Sequence, residues 1–342
     1  QGIHGLPHDL SLTVMEKSPA LRIALVQTDL HWQDKTANLA MLEEKIWSLK
    51  DTCDLIVLPE MFPTGFSMDS ASLAEPINLK VHKWMKQLAA QTGAVITGSA
   101  IISEGGNYYN RLLWVDPTGT TQSYDKRHLF RMAQEDASFA AGENLPVFVL
   151  KGWKICPQIC YDLRFPEVTR RIVDVGADIL LLPAQWVPGP LKEDHWTTLV
   201  RARAIETGCF VLAPAQTGYH PEKSGKGRRT WGHSLLVDPW GEVLAQREMG
   251  AGVVLAELGA GARAGQPRLA TLWQAWRAAQ KALAEARSAQ ESLQRERERL
   301  AWQIGEVDKL APGADEWDDL NASHTRLANA QGLMDAAQDT LA

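Results

Sequence analysis

The chain has 342 residues, 45% of them hydrophobic, and a formal net charge of −6 at pH 7. That is length and apolar content enough for one large core or two smaller ones. The acidic balance, with no dominant basic stripe, excludes a dedicated nucleic-acid binder, and no apolar run approaches the ~18 residues of a membrane-spanning helix. The four cysteines, Cys53, Cys156, Cys160 and Cys209, are too few and too irregularly spaced for a disulfide framework. They fit a reducing compartment, so a cytoplasmic protein is expected.

Residues 1–18 are expected to be a disordered leader. Gln1 to Val14 lack the basic start and apolar stretch of a signal peptide, and Met15 stands where a natural start would. Leu21 to Val26 then reads as a strand. Residues 36–49 carry Leu39, Leu42, Ile46 and Leu49 at helical spacing. Residues 55–58 form a second strand and 80–91 a second helix, with Val81, Trp84, Met85 and Leu88 on one face. Ala94 to Gly98 is a strand, and residues 107–115 and 120–124 flank the hairpin signal Asp116-Pro117-Thr118-Gly119. Residues 147–150 and 154–160 pair around Lys151-Gly152. Pro166 to Val175 is a helix, Asp178 to Leu182 a strand, His195 to Thr207 a helix and Cys209 to Ala213 a strand. Ser234 to Val237 and Val243 to Ala245 flank a turn at Asp238-Pro239-Trp240-Gly241, and Val253 to Glu257 is the last strand. Alternating strands and helices predict a layered α/β fold over residues 19–258, with its chemistry just beyond strand ends.

The pattern changes at residues 259–268, which are small, glycine-rich and include Pro267, as in a linker. Beyond it, Leu272, Trp276, Ala279, Leu283, Ala286, Gln290, Leu293, Arg297, Leu300, Ile304 and Val307 follow an alternating four-three spacing. That is a coiled-coil heptad with two polar interruptions. A helix over residues 269–309 would be roughly 60 Å long at 1.5 Å per residue. Pro312-Gly313 stops it, and Leu320, Leu327, Met334 and Leu341 resume at sevens. Residues 269–342 are therefore expected to form a helical hairpin packed antiparallel.

Three apolar stretches each lead to a reactive side chain: Leu55-Ile56-Val57-Leu58-Pro59 to Glu60, Tyr124-Asp125 to Lys126, and Lys154-Ile155-Cys156-Pro157-Gln158-Ile159 to Cys160. A thiol, a carboxylate and an ammonium supply the nucleophile, proton acceptor and oxyanion partner that attack on a carbon–nitrogen bond requires. Taken singly, each has an ordinary alternative: a turn glutamate, a surface lysine, a core cysteine. Cys53, Cys156 and Cys209 read as core thiols.

The surrounding motifs decide between these. Leu58-Pro59-Glu60-Met61-Phe62-Pro63-Thr64-Gly65-Phe66, Tyr124-Asp125-Lys126-Arg127-His128-Leu129-Phe130 and Ile159-Cys160-Tyr161-Asp162-Leu163-Arg164-Phe165-Pro166 resemble the three signature blocks of the nitrilase superfamily of carbon–nitrogen hydrolases. The resemblance spans about residues 19–258. It implies a four-layer α-β-β-α sandwich, catalytic roles for Glu60, Lys126 and Cys160, and Glu135 as a second glutamate that positions Lys126 and the substrate. The backbone N–H of Tyr161 is the expected second oxyanion donor. Through Cys160 the chain resembles the ω-amidase branch of the YafV type. Its later part, with Ala213-Pro214-Ala215-Gln216-Thr217-Gly218 and Gly232-His233-Ser234, is similar to Nit-type amidases, which include deaminated-glutathione amidase. Both branches imply a small amide of a dicarboxylic acid as substrate, with neither metal nor cofactor. Phe66, Tyr161, Arg164 and Trp186 are the expected substrate-binding residues, with Arg228 and Arg229, on a loop, as further cations.

Trp273 to Lys281 and Glu298 to Leu310 resemble part of the coiled coil of RecN, an SMC-like DNA-repair ATPase. That resemblance carries over no ATPase activity, because no Gly-x4-Gly-Lys-Ser/Thr loop exists and Ser224-Gly225-Lys226-Gly227 lacks the spacing and the hydroxyl. The chain thus looks like a mosaic, whether a natural fusion, a recombined gene or an engineered one. Three functions follow: an ω-amidase that forms a homo-oligomer, a coiled-coil assembly module on an inactive hydrolase scaffold, or a hydrolase of nitriles.

Overall fold

The elements follow in chain order: β1 (Leu21–Gln27), α1 (Lys35–Trp47), β2 (Leu55–Val57), α2 (Ser70–Leu73), α3 (Lys80–Thr92), β3 (Val95–Glu104), β4 (Asn107–Val115) and β5 (Thr121–Asp125). Then come α4 (Glu135–Ser138), β6 (Phe148–Leu150), β7 (Trp153–Pro157), α5 (Pro166–Asp174), β8 (Ile179–Leu181), α6 (Lys192–Thr207) and β9 (Phe210–Ala213). The rest are β10 (Thr217–His220), β11 (Arg228–Trp231), β12 (Ser234–Val237), β13 (Val243–Arg247), β14 (Gly252–Leu258), α7 (Gln266–Leu310) and α8 (Glu316–Leu341). The computed structural model describes residues 19–220, 227–259, 266–311 and 313–341. Residues 1–18, expected to be a leader, and most of the expected linker at 259–268 lie outside them.

Two six-stranded mixed sheets form the body. One has the order β14-β1-β2-β3-β4-β5 and the other β13-β12-β9-β8-β7-β6. Each has three parallel strands at its centre, β1-β2-β3 and β7-β8-β9, extended by antiparallel neighbours. The period-two alternation of a strand explains the layering. On β1, Ile23 and Leu25 join a core shared with Ile155, Leu180 and Leu212 of the second sheet, while Ala24 and Val26 face the opposite way. There they meet Leu39, Leu42 and Ile46 of α1 and Val81, Met85 and Leu88 of α3. Trp196, Val200 and Ala204 of α6 close the second sheet. The result is a four-layer α-β-β-α sandwich.

Several local expectations need correction. The strand expected over 154–160 ends at Pro157, and a 3₁₀ turn over Cys160–Arg164 follows. The segment carrying Arg228 and Arg229 is not simply a loop: both residues lie in β11, which pairs antiparallel with β10. Helix α7 starts before residue 269, and Pro267 sits in its first turn, where its missing N–H costs nothing.

Internal contacts divide the chain between Trp273 and Gln274. In the second unit, Leu283, Leu293, Leu300, Ile304 and Val307 of α7 and Leu320, Leu327 and Met334 of α8 all remain exposed. Both expected helices are present, but they leave this stripe exposed rather than burying it against one another. The composition gives the reason. Ala279, Ala286, Gln290 and Arg297 occupy stripe positions and offer little apolar area to repay ordering two helices.

Candidate active site

The C-terminal ends of the parallel strands converge, as open α/β sheets favour. Glu60 lies just beyond β2 and Cys160 just beyond β7, while Gln185 follows β8. Lys126 follows β5, and Asn110 reaches in from β4. Glu60, Lys126 and Glu135 are all essentially inaccessible to solvent.

Lys126 Nζ lies 2.8 Å from Glu60 Oε1 and 2.9 Å from Glu135 Oε2. Asn110 Nδ2 donates to both carboxylates, at 2.9 Å to Glu60 Oε1 and 3.1 Å to Glu135 Oε1. The backbone N–H of Phe130 donates to Glu135 at 2.6 Å. Two carboxylates and one ammonium leave the cluster one negative charge in excess, so it has room for one proton.

The thiol is tied to the same cluster through one residue. Gln185 N donates to Glu60 Oε2 at 3.0 Å, and Cys160 Sγ donates to Gln185 O at 3.2 Å. Gln216 Nε2 donates to the backbone carbonyl of Glu60. Cys160 has φ +43°, in the left-handed region that a side chain adopts only under local constraint. The constraint is visible in Asp162. Its carboxylate accepts from Ile159 N at 2.9 Å, Tyr124 O–H at 2.7 Å and both His128 N and Nδ1 at 2.8 Å. Asp162 thus holds the turn carrying Cys160 against the segment carrying Lys126. The Tyr161 N–H opens the 3₁₀ turn, where a helix supplies no carbonyl to receive it.

Burial dominates the electrostatics. It raises Glu60 above the ordinary carboxylate range, with Glu135 pushing the same way and Lys126 opposing. For Lys126 burial opposes the charge, but Glu135 and Glu60 outweigh it and hold the ammonium above its usual range. Burial, reinforced by Glu60, pushes the Cys160 thiol well above its ordinary value despite Lys126. Burial therefore holds Cys160 as a neutral thiol, and attack requires its proton to move to Glu60.

A cavity of about 500 Å³ opens beside this cluster, lined by Phe66, Gln185, Trp32, His220, Arg228 and Asp69 among others. Phe66 also faces Lys126, whose Nζ is 5.2 Å from the ring centroid. Contacts within the chain hold the other expected substrate-binding side chains. Trp186 donates its indole N–H to Lys192 O and packs on Trp196, Arg164 lies over the Trp186 ring, and Tyr161 packs on Phe130 and Phe165. Sequence reasoning assigned no role to Asn110, Gln185 or Asp162. Only Asn110 carried a signal, a polar residue within a strand that otherwise favours apolar ones.

Comparison with known proteins agrees with this geometry. Residues 22–266 match the carbon-nitrogen hydrolase family. The chain is 41% identical over 239 residues to the ω-amidase YafV of Yersinia enterocolitica, covering 70% of this chain and 90% of that protein. It is 35% identical over 239 residues to the 2-oxoglutaramate amidase of Bacillus subtilis, covering 69% and 90%. Among solved structures, it is similar to a CN-hydrolase superfamily protein from Xanthomonas campestris with an arsenic adduct in its active site. The TM-score is 0.68 and the identity 37%, covering 72% of this chain and 95% of that one. The chain belongs to the carbon-nitrogen hydrolase family.

Proposed function

We propose that this protein is a thiol amidohydrolase of the ω-amidase type. It cleaves the terminal amide of a small carboxylic-acid amide, such as a 2-oxo-acid ω-amide, to the acid and ammonia. The observation that carries this reading is the double use of Gln185: its N–H holds Glu60 and its carbonyl receives the Cys160 thiol. Base and nucleophile are thereby fixed to one residue, with Lys126 against the base. The amidase names of two relatives, each matched over 90% of its length, support the substrate class.

The chemistry follows from the charges. Glu60 takes the thiol proton as sulfur bonds to the amide carbon, and the cluster moves from one excess negative charge to none. The carbonyl electron pair moves to oxygen, where Lys126 and the Tyr161 N–H stabilise it; one such donor is worth about 10²–10³ in rate. Collapse of the tetrahedral species breaks the carbon–nitrogen bond. Glu60 returns its proton to nitrogen, which leaves as ammonia, and a thioester remains on Cys160. Glu60 then takes a proton from water as water attacks the thioester, and returns it to sulfur as the acid departs. Glu135 and Asn110 keep Lys126 and Glu60 in register throughout.

Ammonia release from a panel of 2-oxo-acid ω-amides tests the reading. The wild-type protein turns over at least one of them, and Cys160→Ala is folded and inert. Full turnover by Cys160→Ala would overturn the assignment. The residues assigned to this chemistry all lie before residue 186, and we infer that the helices beyond residue 266 serve assembly rather than the reaction.

A further inference from the structure

The cavity beside the cluster is walled by a hairpin whose role is not explained by the hydrolytic chemistry. In β10 and β11, His220 and Arg228 are direct cross-strand partners. Opposite residues of an antiparallel pair project from the same face, with Cβ atoms about 4.5–5.5 Å apart. Both line the cavity, together with Phe66 and Gln185, which touch the catalytic cluster. An acyl chain that extends from Cys160 past Gln185 into this cavity would meet this pair.

His220 is an expensive residue to place there without a task. The residue is 97% buried, and its Nε2 has no hydrogen-bond partner among the described residues. A buried polar group left without a partner destabilises the fold. Among the described residues its ring packs on Trp32, at 5.3 Å between centroids, a contact that makes no use of Nε2. Burial pushes His220 down to about 4, so at neutral pH the ring is uncharged and carries one N–H donor. Nearby, Ser67 Oγ receives hydrogen bonds from Gln33 Nε2 at 2.8 Å and Asp69 N at 3.1 Å. Both of those bonds are accepted, which leaves the Ser67 proton available to a further acceptor. Ser67 and Asp69 are also on the cavity wall. Asp69 offsets the formal charge of Arg228, so net charge alone does not select an anion here.

We propose that His220 is a specificity-determining residue, whose imidazole, paired with Arg228 across the hairpin, hydrogen-bonds the carboxylate at the far end of an ω-amide substrate. The pair distinguishes an amide carrying a distal carboxylate from a neutral amide of equal length. This rests on the amidase reading and sharpens it, because it names what the acyl end must carry and what reads it.

The test compares glutaramate with pentanamide, which share a five-carbon chain and differ in the distal carboxylate. In the wild-type protein kcat/KM favours glutaramate. In His220→Phe that preference falls by about 10- to 100-fold, the loss expected for a hydrogen bond to a charged group, and the change appears mainly in KM. His220→Gln, whose amide offers an N–H donor, restores most of the preference. A structural role would instead lower both substrates together and would not be rescued by glutamine. Equal losses on both substrates, or an unchanged preference in His220→Phe, overturn the proposal. A wild-type protein inert on every amide would overturn the amidase reading itself. As a second measurement, glutarate binding to Cys160→Ala by calorimetry weakens by a similar factor when His220→Phe is added. Undiminished binding would overturn the proposal independently of turnover.

Discussion

The body and the terminal helices of this chain handle polar and apolar groups in opposite ways. In the body, two carboxylates and an ammonium are sealed away from solvent and fully engaged with one another, with Asn110 and with backbone N–H groups. In α7 and α8, leucines such as Leu293 and Leu327 stand about 70% exposed. Burying charge is costly unless geometry and hydrogen bonds repay it, so such a cluster is retained where its chemistry is used. An exposed apolar stripe carries no such internal logic, because nothing in its own unit depends on it. Substitutions in the two regions should therefore behave very differently.

The largest effect is expected at Lys126. In Lys126→Met the two buried glutamates lose their cation, and breaking a buried ion pair from one side costs about 3–5 kcal/mol. Turnover is lost and the melting temperature falls. The sign of the pH dependence is fixed. Without Lys126, burial and repulsion from Glu135 raise the folded-state pKa of Glu60 further above the unfolded value, so the folded state favours its protonated form. The deficit against wild type is greatest at high pH and shrinks as pH falls through that raised value. Thermal melts of both proteins across the pH range check this, and a deficit that grew toward low pH would contradict it.

Asn110 comes next. Asn110→Leu removes donors from Glu60 and Glu135 together. Hydrogen bonds to charged groups are worth about 1.5–3 kcal/mol, so kcat should fall by about 10- to 100-fold. The pH profile adds a readout that simple loss of packing would not give. Wild-type kcat/KM rises with pH as Glu60 deprotonates, above the ordinary carboxylate range because the group is buried. Asn110 is one of the groups that holds that value down, so the acidic limb of Asn110→Leu moves to higher pH. Asp162→Asn is expected to cost about 10-fold in kcat. An asparagine oxygen can still accept, but its NH₂ would face the N–H and O–H groups that the second carboxylate oxygen now receives. With the turn less firmly held, Cys160 relaxes from φ +43°. Slower single-turnover acylation with little change in KM is the signature to look for.

How much of this was legible beforehand differs residue by residue. Glu60, Lys126, Glu135 and Cys160 converge; Glu60, Lys126 and Cys160 each sit in a short signature string, whereas Glu135 came only from what the family resemblance implies. The four-layer arrangement came from the family resemblance, while the layered α/β class was legible because strand alternation and helix periodicity are local patterns. Asn110, Gln185 and Gln216 were not, because what they do depends on partners 50, 125 and 156 positions away from Glu60. The β10–β11 hairpin was missed for a different reason. Thr217-Gly218-Tyr219-His220 and Arg228-Arg229-Thr230-Trp231 show no apolar alternation, so neither segment reads as a strand. In the terminal region the helical period was plain, but periodicity fixes which residues share a face and says nothing of what covers it.

The smallest effect is expected where the contrast is sharpest. Leu293 and Leu300 lie in α7, exposed to about 67% and 45%, and an exposed leucine contributes little to the stability of an isolated chain. Replacing both with serine should change stability by no more than about 0.5 kcal/mol per site and leave kcat/KM on an ω-amide at its wild-type value. If the stripe serves assembly, the same double variant lowers the molecular mass measured by sedimentation while turnover per chain is unchanged. A coupled loss of mass and turnover would show that the catalytic cluster depends on assembly, and would erase the independence of the two regions. An unchanged mass would remove assembly as the use of these two leucines.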